Sequence, residues 1–216
     1  MARGGVDVRG AGPLSAPRPI VAVLAGGRGI RIGGAKPTRA LAGRPLISYP
    51  LSSARAAGLE AVIVAKPDTA LPPTGERVIV EPDEPRHPLC GALAALEHAQ
   101  RRSPGGGVVL VGADMPFVNG ALLRALAQVD RAVLLEVDGR RQPLPTRCLP
   151  AHARSLRGAL EAESSLRAAF AALAPRVLVE DELRACGDPR RLCFSVNTPA
   201  DLRRAERLLV APGVTR

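Results

Sequence analysis

The stretch IVAVLAGGRGIRIGGAKP, residues 20–37, decides the fold of this 216-residue chain. Its first five residues are apolar without alternation, which is typical of a strand buried on both faces of a mostly parallel sheet. Five glycines then follow within the nine residues 26–34. Glycines at the carboxyl end of a first parallel strand let several backbone amides approach an anion, so the stretch predicts a phosphate-binding loop.

Short apolar runs of the same kind recur along the chain, at residues 62–64, 78–80, 108–111, 133–135 and 177–179. Stretches rich in Ala, Leu and Arg have helical spacing and lie between these runs, around residues 89–102, 120–129, 151–173 and 199–210. Asn119 and Thr198 are predicted N-caps. The alternation predicts an α/β fold, a Rossmann-like three-layer sandwich with a mostly parallel central sheet. Residues 20–210 are expected to form one domain after a flexible N-terminal tail, residues 1–19.

The charge of the chain is strongly positive, with 30 Lys and Arg against 20 Asp and Glu and a net charge of +10. A basic surface attracts polyanions and phosphorylated ligands. The basic residues are scattered, and the three Phe and one Tyr offer little for bases to stack on, so nucleic acid is not the expected partner. Only Lys36 and Lys66 are lysines, and Lys36 lies in the glycine-rich loop, where a compact point charge suits a phosphate.

Several classes of protein are excluded by composition. No window approaches the ~18 uninterrupted apolar residues of a membrane span, and residues 1–19 lack the apolar segment of a secretory signal. The four cysteines are scattered without a CxxC pair, which argues against a disulfide framework and a structural zinc site. A reducing cytoplasm is therefore the expected compartment.

The glycine-rich loop matches neither of two familiar nucleotide-binding loops. The pattern G-x-G-x-x-G fails because Ile32 stands where its third glycine is needed, and G-x-x-x-x-G-K-[ST] fails because Ala35 and Pro37 break it. Pro37 also disfavours the α region for Lys36, which predicts extended backbone there. A surface turn with incidental arginines is the alternative, and the position behind the first buried strand argues against it.

A second candidate position follows the apolar run 108–111, in the sequence Gly112-Ala113-Asp114-Met115-Pro116-Phe117. If both strands are parallel, the Asp114 carboxylate lies at the same sheet edge as the glycine-rich loop. A carboxylate is a hard oxygen ligand of the kind that Mg²⁺ takes together with phosphate oxygens. The alternative is a turn-forming aspartate before Met-Pro.

These residues carry a resemblance to a known family. Leu24-Ala25-Gly26-Gly27, followed by Arg31, Gly33 and Lys36, resembles the L-A-G-G-x-x-x-R-x-G-x-x-K signature of nucleotidyltransferases, and most of all that of the molybdenum cofactor guanylyltransferases. The resemblance implies a fold of the nucleotide-diphospho-sugar transferase type. It also implies that the triphosphate is bound by Gly26, Gly27, Arg31 and Lys36, and that Leu24 and Ala25 belong to the same nucleotide-binding segment. The family often has Asp before the lysine, where this chain has Ala35.

Other segments extend the resemblance. The segment beginning at Asp114 is similar to the family's magnesium-binding segment, which implies Asp114 as the Mg²⁺ ligand and Lys36, Arg31 and Asp114 as the catalytic residues. His87-Pro88-Leu89-Cys90-Gly91 is similar to G-P-L-x-G, which implies Gly91 in the nucleotide site and places His87 where the family has glycine.

Two parts of the resemblance leave alternatives open. The family carries an acid near the guanine and ribose, and either Glu81 or Asp83 corresponds to it. Ser195-Val196-Asn197-Thr198-Pro199 resembles N-x-N-T-P with Ser195 in place of the first Asn. Asn197 is therefore either a substrate or second-metal contact or simply part of a helix cap.

The resemblance implies a Mg²⁺-dependent enzyme that transfers GMP from GTP to the phosphate of molybdopterin and releases pyrophosphate, as a monomer or small homo-oligomer. In-line attack by a phosphate needs no side-chain nucleophile, so positioning and charge neutralisation suffice. The alternatives are a cytidylyltransferase of the same pathway, a sugar-1-phosphate or phospholactate nucleotidyltransferase, and a non-catalytic module that binds nucleotide or nucleic acid.

Overall fold

The structure is a computed structural model that describes residues 17–27 and 36–210. Most of the expected N-terminal tail, residues 1–16, lies outside the described residues. So does the middle of the glycine-rich loop, residues 28–35, with Arg31.

Nine strands and eight α-helices occur in the described part of the chain. The strands are β1 Ile20–Leu24, β2 Ala40–Leu41, β3 Arg44–Pro45, β4 Ala61–Ala65, β5 Arg77–Val80, β6 Val108–Gly112, β7 Val133–Val137, β8 Arg140–Cys148 and β9 Arg176–Leu178. The helices are α1 Ser48–Ala56, α2 Pro88–Arg102, α3 Gly120–Ala127, α4 Ala153–Glu161, α5 Leu166–Ala171, α6 Glu180–Leu183, α7 Pro189–Leu192 and α8 Pro199–Val210. None of these helices is both long and apolar enough to cross a membrane.

Seven of the strands form one sheet in the order β5-β4-β1-β6-β8-β7-β9. The first four of these are parallel, and so are β7 and β9, whereas β8 is antiparallel to both of its neighbours. The prediction of a mostly parallel α/β sheet is therefore confirmed. The carboxyl ends of β5, β4, β1 and β6 meet at one edge, which the parallel arrangement requires.

Helices cover both faces of this sheet, because alternate residues of the same strands supply two separate cores. On one face Val21, Ile63 and Val111 pack with α1 and α3. On the other face Ala22 and Val64 pack with α2, α4 and α5. Each fully buried Val or Leu contributes about 1.5–3 kcal/mol relative to exposure, so continuous apolar strands stabilise this three-layer arrangement.

Three predicted elements differ from the structure. The predicted helix over 151–173 is instead a 3-10 turn followed by α4 and α5, and Glu163, between these two helices, has a φ of 50°. Lys36 begins a 3-10 turn, Lys36–Thr38, instead of lying on extended backbone. Residues 78–80 are not buried on both faces, since β5 is the edge strand and Val80 is 61% exposed.

Candidate active site

A cavity of about 630 Å³ opens at the edge where the parallel strands β5, β4, β1 and β6 end. The loop after β1 supplies one wall of it, and the N-terminus of α2 and the residues after β6 supply others. The predicted site residues that line it are Leu24, Ala25, Gly26, Gly27, Lys36, Glu81, Gly91 and Asp114. Leu144 of β8 and Leu166 of α5 add an apolar side.

Lys36 joins three distant parts of the chain at the rim of this cavity. Its Nζ donates hydrogen bonds to Asp114 Oδ2 and, at 2.8 Å, to Asn197 Oδ1. The Lys36 and Asp114 side chains are 17% and 18% exposed, so both remain accessible to a ligand. The structure thus brings together the glycine-rich loop's lysine, the aspartate after β6 and the asparagine before α8.

The start of α8 fixes the position of Asn197. The Asp201 carboxylate accepts hydrogen bonds from the amides of Asn197 and Thr198, at 3.0 and 2.9 Å, and from Thr198 Oγ1. Thr198 Oγ1 in turn accepts from the Asp201 amide, which completes a capping box and confirms the predicted N-cap. Burial raises the pKa of Asp201, but these hydrogen bonds and nearby Arg204 outweigh it and leave that pKa below its ordinary value.

The backbone next to Asn197 is also tied to the aspartate. The Val196 amide donates to the Asp114 carbonyl at 2.9 Å, and the rings of Phe117 and Phe194 pack edge to face with centroids 5.8 Å apart. These contacts hold the segments after β6 and before α8 side by side. Asn197 is therefore both part of a helix cap and a neighbour of Lys36 and Asp114.

Glu81 and Asp83 have different surroundings. Glu81 follows β5, is 5% exposed and lines the cavity. Asp83 is 57% exposed, is not among the residues that line the cavity, and pairs with Arg86. The Glu81 carboxylate lies so close to the loop after β1 that a Cβ at Gly26 would overlap Glu81 Oε1, so a larger residue at position 26 would displace the Glu81 side chain.

Oxygen ligands for a divalent ion are present at the rim. Asp114 offers a carboxylate and Asn197 an amide oxygen, and both already point at one cation, the Lys36 ammonium. No cluster of three His, Cys, Asp or Glu side chains that could hold a metal occurs within residues 17–27 and 36–210. One carboxylate with phosphate oxygens and water is nonetheless a donor set that Mg²⁺ accepts. The residues present therefore fit an ion shared with a phosphorylated substrate.

Sequence reasoning missed two features of the cavity. Lys66 follows β4, and its ammonium faces the loop after β5. The only feature of the sequence that singled out Lys66 was that the chain contains just one other lysine. His87 lies at the N-cap of α2, where its Nδ1 accepts a hydrogen bond from the Leu89 amide at 3.2 Å. A side chain that caps the helix thus stands where the related family has glycine.

Comparison with known proteins assigns this fold and cavity to a family. Residues 21–177 match the family model described as MobA-like NTP transferase domain. The chain belongs to this family. It is accordingly a nucleotidyltransferase, which confirms the resemblance read from the first loop.

Relatives of known name support the same family. The molybdenum cofactor guanylyltransferase of Rhizobium meliloti (strain 1021) is 32% identical over 91% of this chain and 94% of its own length. The enzyme of the same name from Cereibacter sphaeroides is 33% identical over 87% of this chain and 95% of its own length. The family membership therefore extends over nearly the whole chain.

Solved structures agree. Molybdopterin-guanine dinucleotide biosynthesis protein A from Archaeoglobus fulgidus has a TM-score of 0.72 and 26% identity, over 88% of this chain and 97% of that one. A 2-C-methyl-D-erythritol 4-phosphate cytidylyltransferase from Thermus thermophilus, at 20% identity and a TM-score of 0.61 over 88% of this chain and 98% of that one, shares the fold alone.

Proposed function

We propose that this protein transfers GMP from GTP to the phosphate of molybdopterin and releases pyrophosphate. The observation that carries the proposal is the Lys36–Asp114–Asn197 group at the rim of the cavity, beside the glycines that follow β1. The names of the relatives, molybdenum cofactor guanylyltransferases over nine-tenths of the chain, support the choice of GTP and of molybdopterin.

The reaction would proceed by in-line attack. An oxygen of the acceptor phosphate is already anionic, so it can attack the α-phosphorus of GTP without a general base. A new P–O bond forms to the α-phosphorus while its bond to the oxygen that bridges to the β-phosphate breaks. Lys36 supplies positive charge where the leaving pyrophosphate gains negative charge, and the Gly26 and Gly27 amides are candidates for the same task. Arg31, which lies outside the described residues, is proposed to add to it.

Mg²⁺ is the metal that we propose for this site. When bound, it would neutralise charge on the phosphates as a Lewis acid. Asp114 would hold it, with Asn197 as a second oxygen donor. Lys36 donates a hydrogen bond to the Asp114 carboxylate and holds it at the rim of the cavity when no ligand is present.

At the other end of the cavity we propose Glu81 as the residue that meets the nucleoside. A buried carboxylate is an acceptor, and guanine offers two adjacent donors, N1–H and the 2-amino group, whereas cytosine offers one amino group. The ribose hydroxyls are further donors of the kind that a carboxylate accepts. Gly91, in the first turn of α2, leaves space beside this carboxylate, since a Cβ there would lie 3.2 Å from Glu81 Oε2.

The proposal also includes the domain organisation, the cellular location and the oligomeric state. We propose that residues 20–210 act as one domain, and the sharing of one seven-stranded sheet by both cores supports this. All four cysteines are free thiols, which supports a location in the reducing cytoplasm. We expect a monomer or a small homo-oligomer.

The test is pyrophosphate release by the purified protein with Mg²⁺, molybdopterin and one nucleoside triphosphate at a time. We expect turnover with GTP, and a loss of about 10²–10³-fold in kcat for Asp114→Asn, as for other groups that stabilise charge in a transition state. The control is Asp138→Asn, an exposed carboxylate that pairs with Arg190 and should keep kcat within about twofold. Turnover with CTP but not GTP, or an Asp114→Asn variant as active as the control, would contradict the proposal.

A further inference from the structure

Lys66 is a buried cation on the floor of the cavity. It follows β4 directly, and its side chain is only 3% exposed. Lysine is rarely buried to this degree unless its charge is paired, because removing an ammonium from water is costly. The contacts of the Lys66 ammonium should therefore explain why its charge is buried.

The Lys66 ammonium binds the loop that follows β5. Its Nζ donates to the carbonyl oxygens of Pro82 and, at 3.3 Å, of Pro85. It also lies 3.8 Å from Glu81 Oε2. One cation thus fixes both ends of the 82–85 turn and faces the carboxylate that begins it.

The Glu81 carboxylate keeps one oxygen unused. Oε2 is buried and has no hydrogen-bond partner, although Glu81 lines the cavity. Burial raises the pKa of Glu81, and the charge of Lys66 opposes that rise. A buried acceptor without a partner is costly, so a donor supplied by a ligand would be bound favourably at this place.

We propose that Lys66 is a positioning residue for nucleotide selection, which holds the Glu81 carboxylate in place so that Oε2 accepts a hydrogen bond from the nucleoside. The inference rests on the proposed function, since it assumes that the nucleoside occupies this end of the cavity. Lys66 itself has its donors directed at carbonyl oxygens and at Glu81, so it acts through that carboxylate.

Other charged groups at this end do not replace Lys66. Arg86 also lines the cavity, but its guanidinium is already paired with Asp68, Asp83 and Glu84. His87 uses its Nδ1 to cap α2. Lys36 pairs with Asp114 at the other side of the cavity.

The experiment compares Lys66→Met, Glu81→Gln and the double variant by GTP titration calorimetry and by kcat/KM for GTP from pH 5 to 9. We expect Lys66→Met to weaken GTP binding about tenfold or more, while kcat at saturating GTP changes less than threefold. Without the cation the Glu81 carboxylate takes up a proton at higher pH, so the acid limb of kcat/KM should move upward by about one pH unit or more. The double variant should bind GTP as weakly as Glu81→Gln alone, because its two effects share one group.

Arg147→Met is the matched control. Arg147 is also a buried cation on carbonyl oxygens, those of Val129 and Gly106, but it lies at the opposite edge of the sheet. Its loss should lower the melting temperature and leave the KM for GTP and the pH profile unchanged. A Lys66→Met variant that behaves like this control would overturn the inference.

If Lys66→Met does not fold, the double variant still tests the inference. The double variant buries no unpaired charge, because both Lys66 and Glu81 have been replaced by neutral residues. A double variant that binds GTP more than threefold more weakly than Glu81→Gln would mean that Lys66 acts independently of Glu81, and the inference would be wrong. Failure of the proposed function looks different, because the unmodified protein would then not bind GTP at all.

Discussion

Glu81 and Asp83 lie two positions apart and differ in almost every physical property of their surroundings. Glu81 is buried in the cavity with a free acceptor oxygen, and Asp83 is exposed and paired with Arg86. We expect Glu81→Gln to raise the Kd for GTP by about 10-fold or more, since a hydrogen bond to a charged group contributes about 1.5–3 kcal/mol. Asp83→Asn, the matched control, should change the Kd less than about twofold, as for other exposed ion pairs.

Equal losses from the two variants, measured by calorimetry at one pH, would show that the exposed side of the loop also meets the nucleotide. The sequence could not choose between the two acids, because both follow the β5 run closely and both suit the family pattern. The choice depends on where the turn at Pro82 directs each side chain. That direction is set by contacts with Gly26 and Lys66, which are distant in sequence.

At the scale of the element, the N-terminal cap of α8 positions the site residue Asn197. Asp201→Asn removes a carboxylate that accepts from the Asn197 amide and from Thr198. We expect a loss of about 1 kcal/mol in the free energy of unfolding, as for other caps, and a lower kcat because Asn197 is no longer fixed beside Lys36. Urea unfolding and pyrophosphate release measure the two effects.

The pH dependence of this cap has a defined sign. The pKa of Asp201 is below its ordinary value in the folded chain, so its stabilising effect is present above the unfolded pKa of about 3.9 and disappears as pH falls through the folded pKa. The stability difference between the wild type and Asp201→Asn should therefore be constant near neutral pH and shrink in acid. Asp181→Asn, in the exposed first turn of α6, is the control and should show a much smaller difference.

Elements with local signals were predictable, and those without were not. The caps at Asn119 and Thr198 follow from their own side chains, and the structure confirms both. The strand β8 was not predicted, because two prolines and several polar residues interrupt any apolar run in it. The break between α4 and α5 was also missed, since residues 162–165 contain neither Gly nor Pro. Glu163 takes the left-handed position that ends α4, where the Ser164 amide donates to the Ala159 carbonyl, and that position is usually occupied by glycine.

At the scale of the whole molecule, the apolar runs predicted the sheet because burial on both faces leaves a direct trace in composition. The order of the strands in the sheet could not be predicted from composition. The contact of Lys36 with Asn197, 161 positions away, could not be predicted from it either. Only the parallel arrangement could be used to predict that Asp114 and the glycine-rich loop share an edge. The structure places Gly27, Lys36 and Asp114 around one cavity at that edge.

Because this cavity is assembled from five strands and two helices, a nucleotide bound there would stabilise the entire fold. With GTP and Mg²⁺ at about 100 times the Kd, linkage adds about 2.7 kcal/mol to the free energy of unfolding. For a protein of this size that corresponds to a rise of roughly 5–11 °C in melting temperature. We expect this shift with GTP and a smaller one with CTP at the same concentration, followed by differential scanning calorimetry. Asp114→Asn should lose the part of the shift that depends on Mg²⁺, and an equal shift with CTP would argue against guanine selection by Glu81.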